Sequence, residues 1–176
     1  MMTIKIKEVE TPGQIAAVAR LAETVWHETY DPILPGGQTA YMLKQFQSVP
    51  AVTAQIRKQG YFYYLLVCDK EPAGYFALVP GQEQPDELLV SKIYIDAGYR
   101  GRGLMAAAFR FIRDRAKSLG IRRIWLTVNK QNHHAQAVYA HYGFVRCRAV
   151  VNEIGNGYVM DDYIYVYQPG DPIGRR

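Results

Sequence analysis

Six consecutive residues, Arg100, Gly101, Arg102, Gly103, Leu104 and Met105, lie where an apolar strand pattern gives way to an amphipathic helix. Glycine lets backbone N–H groups turn toward a ligand with no side chain in the way. The helix behind adds unpaired N–H groups and the positive end of its dipole, and two arginines add full charges. Such a loop suits a pyrophosphate. A glycine-rich strand-to-helix turn that holds nothing has the same letters. Gly101 to Ala106 also fits G-x-G-x-x-A, the dinucleotide fingerprint, which wants a carboxylate about 20 residues later to hold a ribose. The next strand ends Leu126-Thr127-Val128-Asn129 without one, and too little chain remains for a six-stranded parallel sheet. No Gly-Lys-Ser/Thr follows, which excludes the triphosphatase loop.

A second motif follows the next strand. Asn132, Ala135, Tyr139, Gly143 and Phe144 spell N-x-x-A-x-x-x-Y-x-x-x-G-F, about 30 residues after the glycine loop. With both motifs in this order, the stretch from Glu87 to Phe144 resembles the GNAT superfamily of acyl-CoA-dependent N-acetyltransferases. That family's phosphate signature is Q/R-x-x-G-x-G/A. This chain matches at Arg100 and Gly103 and departs at Met105, a helix position where the departure is expected to change packing more than phosphate contact, with a weakened or tilted grip on the pyrophosphate as the secondary effect.

The resemblance implies an α/β (α+β) fold: a mixed, mostly antiparallel central sheet of about seven strands flanked by helices, with a splayed strand pair at the coenzyme A site. It implies acetyl-CoA as co-substrate and no metal. The strand residues Ile93, Tyr94 and Ile95 would offer backbone groups to the pantetheine amides. The amides of Arg100, Gly101, Arg102, Gly103, Leu104 and Met105 would hold the pyrophosphate. Asn132 would bond the pantetheine arm, and Tyr139 would sit beside the thioester sulfur.

An amine must be neutral to attack a thioester, and a free alkylamine has a pKa near ~10, so a base must take its proton. Glu28, Asp31 and Glu87 are the candidate bases; each also has a plain surface-charge reading. A strand N–H near Ile95 would stabilise the oxyanion. Tyr139 is the candidate acid for the departing thiolate, against a reading as a core tyrosine. Asp161 and Asp162 are adjacent on a strand and point to opposite faces, so one is expected to look into a cleft.

Leu89 to Tyr94 and Trp125 to Asn129 are similar to the polyamine-acetylating branch, which implies a small polyamine or diamine acceptor. Competing readings are acetylation of a peptide or protein terminus, and a non-catalytic module that holds an acyl-CoA or RNA. The basic residues Arg110, Arg113, Arg115, Lys117, Arg122 and Arg123 motivate the last. No stacking-aromatic platform accompanies them, so nucleic acid is not an expected partner. At the level of assembly a homodimer is the form considered.

The elements that position these residues are legible. Thr3 to Val9 alternates as a half-buried strand. Thr11 and Pro12 open a helix that runs to about Tyr30. Shorter helical segments are expected near Gln38 to Gln47 and Val52 to Lys58. Tyr61 to Cys68 reads as a strand buried on both faces, turning at Asp69 to Pro72 into a partner over Gly74 to Val79. Glu87 to Ile95 is the next strand. Leu104 to Leu119 is an amphipathic helix, with Leu104, Ala108, Phe111, Ile112 and Leu119 on its apolar stripe and Gly120 as its cap. Ile121 to Val128 is a strand, His133 to Tyr142 a short helix, and Phe144 to Val151 with Tyr158 to Tyr167 a hairpin across Gly155-Asn156-Gly157.

These elements fill one domain over residues 1–168, with 169–176 as a loose tail. The totals agree: 176 residues, 49% hydrophobic and 21% charged, suit one soluble core. A net charge of +5 favours anionic ligands. Cys68 and Cys147 form no CxxC and no metal spacing with the four histidines; both are expected to be buried thiols. The N-terminus does not read as a signal peptide, and no run of roughly 18 apolar residues exists. A cytoplasmic location is the expectation.

Overall fold

The computed structural model describes residues 1–170, so the expected tail over 169–176 lies outside the described residues from position 171 on. Seven strands form one sheet in the order β1-β2-β3-β4-β5-β7-β6. They are β1 (Ile4–Glu8), β2 (Phe62–Cys68), β3 (Glu71–Pro80), β4 (Glu87–Ile95), β5 (Arg123–Asn129), β6 (Val145–Gly155) and β7 (Tyr158–Tyr167). The helices are α1 (Pro12–Tyr30), α2 (Gln38–Met42), α3 (Val49–Lys58), α4 (Leu104–Ser118) and α5 (His133–His141). As expected, this is a mixed α/β fold with a mostly antiparallel sheet: β1–β2, β2–β3, β5–β7 and β6–β7 pair antiparallel, and β4–β5 pair parallel. The parallel ladder joins Glu87–Leu89 to Arg123–Trp125, while β4 runs on to Ile95 and β5 to Asn129.

The chain forms two compact units. The first comprises Met1–Val79 and Ser91–Ile112. In it, α1 starts with a capping box: the Gln14 N–H donates to Thr11 Oγ1 at 3.2 Å, and Gln14 Oε1 accepts from the Thr11 N–H at 3.0 Å. The helix buries Ile15, Val18, Leu21, Ala22, Val25 and Trp26. The β2–β3 turn is tighter than the sequence suggests, because Asp69 and Lys70 both take positive φ (48° and 78°) and β3 begins at once with Glu71. Positive φ at both central residues matches the right-handed twist of the strands they join.

Both faces of β2 and β3 are covered, as expected from their composition. Tyr64 and Phe76 stack at 5.0 Å, with Phe111 of α4 against both. Tyr63 and Tyr75 stack on the opposite face at 6.3 Å. Under the helices, a line of buried hydrogen bonds satisfies every polar tip. Trp26 Nε1 donates to Tyr75 Oη (2.9 Å), Tyr75 Oη to Gln47 Oε1 (2.6 Å), Gln47 Nε2 to Tyr63 Oη (3.1 Å), and Tyr63 Oη to Gln55 Oε1 (2.5 Å). Gln47 ends a single π-helical turn, Leu43–Gln47, which replaces the second half of the helix expected over Gln38 to Gln47. Gly74 on β3 has a packing reason: a Cβ there would lie 2.5 Å from the Tyr94 carbonyl oxygen of β4.

The second unit comprises Pro80–Val90 and the chain from Arg113 onward. Helix α4 closes with Gly120 at φ 67° and an Ile121 N–H to Ala116 C=O bond of 2.9 Å. Its buried stripe ends at Ala116, and Leu119 is exposed, so Leu119 does not belong to the apolar face. Cys147 is a second correction. It is exposed on β6, the last strand of the sheet, whose residues are almost all solvent-facing; Cys68 is buried as expected.

Candidate functional site

In the first unit, β4 ends at Ile95 and Asp96 turns the chain. The Asp96 N–H donates to Ala73 C=O (2.9 Å), and Asp96 Oδ1 accepts from the Gly98 N–H (2.9 Å). Gly101 (φ 74°) and Gly103 (φ 84°) follow in the left-handed region, then α4 begins at Leu104. A Cβ on Gly101 would meet nothing within 4 Å, and one on Gly103 only Ile4 Cδ1 at 4.0 Å. Space is therefore not what demands glycine here. Backbone direction is, because left-handed residues turn successive amides toward one concave spot, reinforced by the helix terminus.

The two loop arginines take different roles. Arg102 lies over the Tyr99 ring at 5.3 Å. Arg100 turns back to the fold: its Nε donates to Ile95 C=O (3.2 Å), and its Nη1 pairs with Glu28 Oε1 at 2.7 Å. Glu28, a candidate base, is thus the counterion of Arg100. Asp31 pairs with His27 at 2.9 Å. Its hydrogen bond from Thr39, then that from His27, hold its carboxyl below the usual range.

Ile93 and Ile95 are buried, while Tyr94 is part-exposed and its Oη lies 2.7 Å from Tyr30 Oη. Two residues before Tyr94, on the same face, is a lysine the sequence reading passed over. Lys92 Nζ sits 4.9 Å over the Tyr61 ring and 5.8 Å from the Tyr63 ring, and donates to Ser91 Oγ at 2.9 Å. Among the described residues it pairs with no carboxylate, and burial lowers its pKa to about 7. The only signal was a charge inside the apolar run of β4.

This lysine has a measurable consequence. Its folded pKa lies below the unfolded value of 10.5, so the folded state holds fewer protons between about pH 7 and 10. Stability contributed by this group therefore rises with pH across that window. Lys92→Met should be more stable than the wild type at about pH 6, by an amount on the order of a few kcal/mol, and the gain should shrink by about pH 9. Urea unfolding at the two pH values checks this; an equal gain at both would remove the argument.

In the second unit, Asn132 caps α5, its Oδ1 accepting from the Ala135 N–H at 3.2 Å. Tyr139 follows seven residues later, about 10 Å along the helix. It is 9% exposed, with its ring between Phe144 (6.2 Å) and Tyr165 (6.4 Å). Gly143 at φ 91° ends the helix, and the Phe144 N–H returns to Tyr139 C=O at 3.0 Å. Glu87 is buried and pairs with Arg123 at 3.1 Å. It opens β4 eight residues before Ile95, on the order of 25 Å at the rise of a strand, so its ion pair braces the start of the parallel ladder. Arg122 pairs likewise with Asp86, so two of the six basic residues named above already have partners.

The acidic pair on β7 separates as its alternation requires. Asp161 is exposed and pairs with Lys130 at 2.6 Å. Asp162 is 5% exposed, and burial first, then the Asp161 charge, pushes its pKa up to about 6. Among the described residues no group of three or more His, Cys, Asp or Glu side chains could hold a metal ion, and no helix is long and apolar enough to cross a membrane.

Residues 18–144 match the acetyltransferase (GNAT) family. An uncharacterized N-acetyltransferase of Mycobacterium tuberculosis is 40% identical over 76 residues, 43% of this chain and 47% of that protein, so the chain matches about half the length of this relative. The L-2,4-diaminobutyric acid acetyltransferase of Streptomyces coelicolor is 28% identical over 102 residues, 57% of this chain and 58% of that protein. The fold is similar to that of the PaiA N-acetyltransferase of Thermoplasma acidophilum solved with coenzyme A, with a TM-score of 0.77 at 17% identity over 94% of this chain and 99% of that one. With the family matched across most of its length, on the stretch that carries both the glycine loop and the Asn132–Tyr139 helix, the chain belongs to the GNAT acetyltransferase family.

Proposed function

We propose that this protein moves an acetyl group from acetyl-CoA directly to a primary amine of a small molecule, the chain acting as one acyltransferase domain over residues 1–168. The observation that carries this is the left-handed Gly101/Gly103 loop between β4 and α4, a geometry that suits backbone amides to an anionic group at the start of a 15-residue helix. Bound acetyl-CoA supplies an activated acetyl group whose thiolate leaves. The chain supplies the rest. Amides from Arg100 to Met105 hold the pyrophosphate, with Met105 half-buried in α4 rather than in the loop. The backbone of Ile93 to Ile95 meets the pantetheine amides, and Asn132 bonds the same arm. Tyr139 gives its proton to the thiolate.

The polyamine expectation comes from the resemblance over Leu89 to Tyr94 and Trp125 to Asn129, and free carboxylates would suit such a polycation. Glu28, Asp31 and Asp161 each already face a basic partner. A diamino acid is therefore as reasonable an acceptor as a polyamine, and the similarity to a diaminobutyrate acetyltransferase supports testing it. Release of free thiol from acetyl-CoA should be followed with spermidine, putrescine, 2,4-diaminobutyrate and a short peptide. Turnover with one or more small amines and none with peptide is the expected result. Turnover with peptide alone moves the acceptor class to protein termini. Tight coenzyme A binding with no turnover identifies a binding module.

A further inference from the structure

Lys92 is a cation without a counterion. An ammonium carries three N–H donors. One goes to Ser91 Oγ at 2.9 Å, and the charge lies over the Tyr61 and Tyr63 rings at 4.9 and 5.8 Å. Among the described residues no carboxylate pairs with it, so donors and a full charge are left for something outside the chain. The surroundings are firm. Tyr63 is buried, its hydroxyl is committed to Gln47 and Gln55, and its ring stacks with Tyr61 (6.2 Å) and Tyr75 (6.3 Å). They are also reachable. Lys92, Ser91, Tyr61 and Tyr94 are all part-exposed. Part of the lysine therefore meets water, while crowding by the rings accounts for its lowered pKa.

These residues lie in the first unit, on the same stretch of chain as the backbone of Ile93 to Ile95 and the glycine loop. Lys92 immediately precedes Ile93, and Tyr94 is about 7 Å farther along the same face of β4. The two carboxylates of α1 that would suit a polycation are spent, Glu28 on Arg100 and Asp31 on His27. What this unit leaves unbalanced beside β4 is a positive charge.

We propose that Lys92 receives a carboxylate of the acceptor, so that the acceptor is a compound carrying both a primary amine and a carboxylate, an amino or diamino acid rather than a polyamine. This rests on the acetyltransfer reading above and names its acceptor class. The ammonium donates to the carboxylate oxygens, a charge-assisted bond that also restores the charge balance lost on burial. The Tyr61 ring, part-exposed beside the lysine, offers an apolar wall to the carbon chain between the two groups. A neutral lysine acting as the proton acceptor is the competing role, and it would not distinguish acceptors by their carboxylate.

The test compares 2,4-diaminobutyrate with 1,3-diaminopropane, which differ only by the carboxylate. The wild type should turn over the diamino acid with at least about 10-fold higher kcat/KM. Lys92→Met keeps the length of the stem and removes the charge. It should lower kcat/KM for diaminobutyrate by about 10- to 100-fold and leave that for diaminopropane within a factor of three. A wild type with no preference, or a variant that loses both amines equally or neither, overturns the proposal. A second measurement needs neither the variant nor turnover. The ε-carbon of Lys92 is titrated by NMR in the wild type with butyrate and with butylamine. The titratable groups against the lysine are the phenols of Tyr61 and Tyr63, and an opposite charge brought beside it favours its protonated form. Butyrate should therefore raise its apparent pKa and butylamine should not; an unchanged titration, or equal shifts with both, overturns the proposal. Coenzyme A binding and the amine panel report on the acetyltransfer reading separately, so the two failures are distinguishable.

Discussion

Tyr139→Phe should lower kcat by about 100-fold while KM for acetyl-CoA stays within a factor of two. A thiolate expelled without a proton donor nearby is the poorer leaving group, and the substitution removes the hydroxyl that would donate. The ring contacts with Phe144 and Tyr165 do not involve the hydroxyl, so phenylalanine fills the same space between them. The backbone cap from Phe144 N–H to Tyr139 C=O is untouched. Steady-state kinetics with coenzyme A binding measured in parallel separates the possibilities. Unchanged kcat would make Tyr139 a core residue and remove it from the reaction; a matching loss of coenzyme A affinity would make it a packing residue of the binding site.

Gly103→Val should raise the dissociation constant for acetyl-CoA by about 10- to 100-fold. A β-branched residue at φ 84° pays a backbone penalty of about 1–3 kcal/mol. The loop escapes it by flipping out of the left-handed region, and the amides it aims then point elsewhere. No contact is crowded, since only Ile4 Cδ1 comes near, so the fold itself should keep its unfolding midpoint. Calorimetric titration with coenzyme A is the direct check. Gly36→Ala is the control, because Gly36 has no positive φ and nothing within 4 Å of an added Cβ. Equal effects of the two substitutions would show that the loop's amides do not grip the ligand.

Local chemistry made much of the fold legible. Thr11, Pro12 and Gln14 specify where α1 starts, and the capping box forms as those letters require. Strands β4 and β7 run over the residues their patterns mark, Glu87–Ile95 and Tyr158–Tyr167. Gly120 and Gly143 stop their helices with positive φ. What escaped depends on which neighbours cover a face. Cys147 sits in an apolar run, but β6 is the outermost strand and its residues are almost all exposed. Leu119 continues the period of α4 three residues past Ala116, where the buried stripe ends, and one past the helix itself. The π-helical turn over Leu43–Gln47 places Gln47 under Tyr75 and Tyr63, and no periodicity announces one extra residue in a turn. The same limit applied at the site. The sequence marked Asp161 and Asp162 as facing opposite ways without saying which was covered, and it marked Glu28 as a charge without showing that Arg100 would claim it.

The buried line from Trp26 through Tyr75, Gln47 and Tyr63 to Gln55 bears on how anything reaches the sheet beneath it. It stitches α1, β3, the π-helical turn, β2 and α3 in sequence. Burial holds both tyrosine hydroxyls well above their ordinary pKa, so they stay protonated and keep donating across the physiological range. Lifting any one of these helices strands a polar tip in a dry interior. Amide hydrogens of the five segments should therefore exchange together and slowly, as one cooperative block. The helical layer of this unit then moves as one piece with β2 and β3 or not at all.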